Sequence, residues 1–145
     1  MNDKDKELLF IDLCGRIPYK VRMFEIEPIN DIQSNLTLLS ITNKESVICI
    51  TPSGGVIGSS IDAFKPYLFP ISSMTEEQRE EFLNIQTEER QILLNALIEY
   101  KSGKYDKIPI IAPYKQIEWL NKNHFDYRGL IEKGLAIDAT NLNVY

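Results

Sequence analysis

The sequence predicts an α+β fold: an N-terminal helix, a small antiparallel sheet or SH3-like barrel, and then C-terminal helices. Three observations predict it. Apolar residues recur at helical spacing over 3–14, alternate with polar ones in short runs over 19–61, and return to helical spacing in an acidic stretch after Ser72.

Residues 3–14 form the first expected helix, with Leu8, Leu9, Ile11, Leu13 and Cys14 supplying its apolar face. Asn2 or Asp3 can cap its start, and Gly15 occupies the position of a helix-ending glycine. Ile17-Pro18 then imposes an extended exit. Tyr19 to Glu27 alternates as a half-buried strand, followed by strands at Leu36–Thr42, Ser46–Thr51 and Val56–Ile61. Asn43-Lys44-Glu45 and Pro52-Ser53-Gly54-Gly55 are the turns between them. The proline-rich and aromatic run Asp62–Pro70 reads as a stiff connector.

Ser73 and Thr75 each stand three residues before a Glu or Gln, the spacing of a capping box. The helix they start runs towards Tyr100, with a break or bend expected near Thr87 because Gln86–Gln91 is wholly polar. Ile108–Pro113 is bracketed by prolines and reads as extended, and Tyr114–Asn123 as a further helix. Asp126–Ala139 should hold one helical turn around Leu130 and then a strand or extended tail near Leu135–Asp138. The composition shift divides the chain into 1–72 and a helical extension, 73–145, packed on it.

With 145 residues, 43% of them hydrophobic, the chain can bury a core without disulfide or metal staples. Cys14 and Cys49 read as small buried hydrophobes. The charged N-terminal stretch lacks a signal-peptide core, and no run is long enough to span a membrane, so the expected location is cytoplasmic. The net charge of -5 argues against a general nucleic-acid coat and against an anionic-membrane binder. It is unevenly spread: residues 74–100 carry seven acidic and two basic groups, whereas 101–145 carry five and seven.

One histidine and two distant cysteines cannot build a Cys/His zinc site, so neither a metal nor an organic cofactor is expected. The glycines of Ser53–Ser60 lack the lysine and spacing of a phosphate loop and read as a hairpin turn. Candidate ligand-binding residues are basic and aromatic, because guanidinium groups pair with anionic oxygens and rings stack on bases. They are Arg16, Tyr19 and Arg22 near the first strand, and Lys65 and Tyr67 in the connector. Trp119, His124 and Arg128 follow near the end, with Tyr127 beside them.

Four blocks carry a family resemblance: Asp12–Tyr19, Phe64–Glu77, Trp119–Ile131 and Lys133–Ala139. In this order they resemble an uncharacterised family of small proteins encoded by phages and mobile elements of gut bacteria. No catalytic residue comes with that resemblance. It implies an accessory binding protein in the host cytoplasm, one that inhibits host defence by binding a host protein or by sequestering a small anionic, nucleotide-like signal. Two alternatives stand beside it: a small hydrolase using His124 with Asp126, and a structural or assembly docking protein that forms homo-oligomers.

Overall fold

The computed structural model describes residues 1–26, 36–104 and 114–145. Its order is α1 (Asp3–Arg16), β1 (Arg22–Glu25), β2 (Leu36–Asn43), β3 (Ser46–Ile50), β4 (Val56–Ser60) and β5 (Phe64–Pro70). Then come α2 (Glu76–Lys101), α3 (Tyr114–Lys122), β6 (Phe125–Asp126) and β7 (Ile137–Asp138). The extended stretch expected at Ile108–Pro113 lies outside the described residues.

The α+β class holds, and among the described residues the strands do not close into a barrel. The strands follow the open path β4-β3-β2-β1-β5-β6, with β7 also on β5. Nor is the sheet purely antiparallel. Hairpins join β2 to β3 and β3 to β4 in antiparallel pairs, whereas β6 and β7 lie parallel to β5. Parallel neighbours need a long crossover, and residues 71–124 supply it. The run expected to be a connector is therefore a strand at the heart of this arrangement, paired with β1, β6 and β7. Its prolines are tolerated because Pro70 ends the strand and Pro66 lies just before the residues that pair with β7.

The chain divides into two compact units, Met1–Ser73 with Asn121–Tyr145, and Met74–Leu120. In the first unit, Leu9 and Leu13 of α1 pack with Val21, Met23, Leu36, Leu38, Phe64 and Leu68 of the sheet region. Leu130, Leu135 and Ala136 complete this core from the C-terminal segment. The alternation read in the sequence sets which strand residues point inward: Val47 and Cys49 are buried while their neighbours are half-exposed.

Helix α1 starts as expected, with the Asn2 side chain accepting the Asp5 N–H at 2.9 Å. It ends differently. Gly15 lies inside the helix, and the left-handed residue is Lys20, φ 55°, whose N–H donates to the Ile17 carbonyl across a 3-10 turn. Gly15 serves close approach instead, since a Cβ there would sit 2.9 Å from Asn121 Nδ2. Cys14 is exposed rather than buried, because it shares the outward face of α1 with Glu7 and Ile11. Cys49 is buried, and burial followed by nearby Glu25 pushes its thiol up to about 12.

In the second unit, Thr75 and Gln78 form a reciprocal capping box. The Gln78 N–H donates to Thr75 Oγ1 at 3.2 Å, and the Thr75 N–H donates to Gln78 Oε1 at 3.0 Å. The break expected near Thr87 is absent. Thr87 Oγ1 donates to the Leu83 carbonyl at 2.9 Å, so its hydroxyl is satisfied within a continuous helix of 26 residues. Phe82 packs on Trp119 of α3, ring centroids 5.4 Å apart. The buried Glu89 accepts from the Lys115 N–H and from Gln116 Nε2, both at 2.8 Å, which ties α3 to α2.

Phe64→Ala should lower stability by about 3–5 kcal/mol, the range for emptying a large core site. Leu39→Ala, at an exposed strand position, should change it by less than about 0.5 kcal/mol. Urea unfolding followed by circular dichroism measures both.

Candidate functional site: a buried polar junction

The last turn of α1 delivers Asp12 and Arg16 to one face, four residues apart. Both are fully buried. Arg16 Nε donates to Asp12 Oδ2 at 2.6 Å and Nη2 to Asp12 Oδ1 at 3.0 Å, a bidentate fork. Nη2 also donates to the Phe125 carbonyl at 2.8 Å, which joins α1 to β6.

The segment from Asn121 to Arg128, made of the end of α3, β6 and the turns around it, forms the other wall. His124 adopts φ 58°, the left-handed region, where a non-glycine residue is uncommon. That turn is held by its N–H donating to the Asn121 carbonyl at 3.1 Å and by Phe69 N–H donating to the His124 carbonyl at 2.9 Å. Two residues on, the Asp126 carboxylate accepts the N–H groups of Arg128, Leu130 and Ile131 at 3.2, 2.9 and 2.8 Å. Its charge is thus taken up by local backbone dipoles, and the turn it fixes aims Tyr127 and Arg128 back at α1. Both guanidinium groups lie over the Tyr127 ring, Arg128 at 4.9 Å and Arg16 at 5.6 Å from its centroid. Arg128 Nε stands 3.5 Å from Asp12 Oδ1, with its side chain 30% exposed. Two cations therefore share the one carboxylate of Asp12.

The His124 ring stacks on Tyr145 at 4.1 Å and 13°. The Tyr145 hydroxyl donates to the Tyr67 carbonyl at 2.7 Å and accepts the Arg22 N–H at 3.2 Å. Its enclosure raises the hydroxyl pKa, although Tyr145 as a residue stays partly exposed. Burial, and then the charge of Arg16, pushes the His124 imidazole down to about 4, so it is neutral at physiological pH.

Among the described residues, five side-chain atoms at this junction are buried without a hydrogen-bond partner: Arg16 Nη1, Asn121 Oδ1, His124 Nδ1, Tyr127 Oη and Arg128 Nε. Each such atom costs about 1–3 kcal/mol if nothing else satisfies it. Native proteins rarely gather several in one place unless water or a ligand meets them.

Of the residues singled out in the sequence, Arg16, His124 and Arg128 meet at this junction. Tyr67 and Arg22 reach it through their backbone bonds to Tyr145. The Arg22 guanidinium itself points elsewhere, donating from Nη1 to Thr37 Oγ1 at 2.8 Å. Lys65 lies opposite Phe24 on the β1–β5 ladder, on the side of the sheet where Tyr67 meets Phe24 edge-on. Tyr19 is in the 3-10 turn after α1, half-buried. Trp119 belongs to the second unit, against Phe82. Sequence reasoning missed Asp12, Asn121 and Tyr145. The spacing of Asp12 and Arg16 is a usable signal for the first, whereas nothing local marks Tyr145.

No family model, curated protein or solved structure matches this chain. Among the described residues, no group of three or more His, Cys, Asp or Glu side chains could hold a metal ion, and no helix is long and apolar enough to cross a membrane.

Removing one partner of the buried pair strands the other. Asp12→Ala should cost about 3–5 kcal/mol, and the double variant Asp12→Leu/Arg16→Met clearly less than the single change, measured by chemical denaturation. Stability should also depend on pH through His124. Because the folded-state pKa of His124 lies below its ordinary 6.5, the unfolded chain binds more protons between about 4 and 6.5. Its contribution is complete above pH 6.5 and is lost as pH falls towards 4. His124→Asn, which tolerates the left-handed backbone, should flatten the stability–pH curve in that window alone.

Proposed function

We propose that this chain is a non-enzymatic binding protein that takes up a small anionic, nucleotide-like ligand at the junction of α1 with the segment 121–128. One observation carries the reading: Arg16 is fully buried yet keeps Nη1 without a partner, beside four further unsatisfied polar atoms. An anionic oxygen supplies the acceptor that Arg16 Nη1 lacks, and a hydrogen bond for Arg128 Nε, whose contact with Asp12 Oδ1 is an ion pair at 3.5 Å. A donor elsewhere on the same ligand suits Asn121 Oδ1. Nucleotides present both kinds of group, and the excess of guanidinium over free carboxylate favours a negative charge. Arg128, partly exposed, is the side chain that moves aside to admit the ligand.

The same residues lie in the blocks by which the sequence resembles the phage-encoded family. Asp12 and Arg16 fall in the first, and Asn121, His124, Tyr127 and Arg128 in the third. On this reading the protein is an accessory factor of a phage or mobile element, and it withholds a signal from host defence. A hydrolase built on His124 is less favoured: an imidazole titrating near 4 is a weak general base at neutral pH.

Thermal unfolding with inorganic phosphate, mononucleotides and cyclic dinucleotides as probes tests the proposal. At a hundredfold excess over Kd, a bound probe should stabilise the protein by about 2.7 kcal/mol. Arg128→Ala should unfold at nearly the native temperature alone and lose the shift. No shift with any probe, or an equal shift in Arg128→Ala, would overturn the assignment.

A further inference from the structure

Helix α2 carries an exposed stripe that no residue of the polar junction explains. Steps of four and three residues from Glu76 run through Glu80, Leu83 and Thr87. The same steps continue through Arg90, Leu94 and Leu97 to Lys101. This is the 3.5-residue repeat of a helix-pairing seam. It lies away from the side of α2 that holds Phe82 and Glu89 against α3. Leu83 is 50% exposed, Leu94 45%, and the flanking Ile98 65%. From Ile92 to Ile98 only Asn95 is polar, so apolar side chains surround the helix there. A helix that is apolar all round is ordinarily covered.

We propose that the stripe pairs with the same stripe of a second copy, antiparallel, about a two-fold axis that passes between Thr87 and Arg90. The charge order selects both the occupant and the direction. Reversed on itself, the seam sets Glu76 opposite Lys101 and Leu83 opposite Leu94. Thr87 then faces Arg90, and Glu80 lies against Leu97. Two-fold symmetry repeats each of these pairs. Parallel pairing in register would instead oppose Glu76, Glu80, Arg90 and Lys101 each to its own copy, four like-charge contacts. The helix of 26 residues is about 39 Å long, enough for the whole seam to engage. The apolar contacts are few, so the dimer is a concentration-dependent one.

Sedimentation velocity over a wide concentration range tests this, with circular dichroism confirming that each variant folds. The native chain should dimerise and Leu94→Glu should remain monomeric. Glu76→Lys and Lys101→Glu should each weaken the dimer by about tenfold, since each change turns two attractive pairs repulsive. The double variant Glu76→Lys/Lys101→Glu should recover the native affinity. A native chain that stays monomeric at every concentration overturns the proposal. So does a dimer indifferent to Leu94→Glu, and so does one whose charge variants show no recovery in the double, as parallel pairing requires.

Discussion

The buried pair of Asp12 and Arg16 is the constraint around which the first unit is arranged. Taking two charges out of water costs several kcal/mol per ion, and the bidentate fork recovers it only if the remaining protons and lone pairs also find partners. That condition reaches outward. Arg16 needs the Phe125 carbonyl, so β6 must lie against the end of α1. β6 can lie there only if the chain returns to β5 in parallel after α3. The close approach of α1 to Asn121 means that a Cβ at position 15 would meet the Asn121 amide at 2.9 Å and force that side chain to shift. A segment far along the sequence is thus fixed to the first helix by one side chain.

Such a pair is weak evidence for net stability, because a well-packed apolar pair of similar volume often holds a helix as firmly. The unsatisfied atoms around it fit the same view. A purely structural cluster would be expected to close its hydrogen bonds internally, as Asp126 does with three backbone N–H groups. Arg16, Asn121, His124, Tyr127 and Arg128 each keep one buried polar atom without a hydrogen bond. Their inventory is mixed, with guanidinium donors, an amide acceptor, and an imidazole and a phenol able to play either part. On the proposed reading, that mixture, next to an imidazole kept neutral, would receive a ligand with an anionic end and a polar remainder.

Much of the fold is legible in the sequence because local rules govern it. Alternation locates β2, β3 and β4, asparagine caps α1, and Thr75 with Gln78 caps α2. The misreadings share one cause, which is tertiary context. Phe64–Pro70 reads as a connector because its prolines deny ladder bonds, yet its apolar face completes the core. Gln86–Gln91 reads as a break because it is polar, but an exposed turn of helix needs no apolar residue, and the Glu89 it contains is buried by α3. The site divides in the same way. Arg16, His124 and Arg128 are visible as residue types, while their convergence depends on the parallel return of β6, which no local pattern encodes.

If the junction is a binding site, Arg16 Nη1 marks a place built for an anion. The most direct measurement is the electron density at that atom in crystals of protein taken from its native host and grown without sulfate or phosphate. The expected result is density for an oxyanion-bearing molecule within hydrogen-bond reach, about 2.7–3.0 Å, of Arg16 Nη1 and Arg128 Nε. Ordered waters alone, satisfying all five atoms, would refute it and return the junction to a structural role.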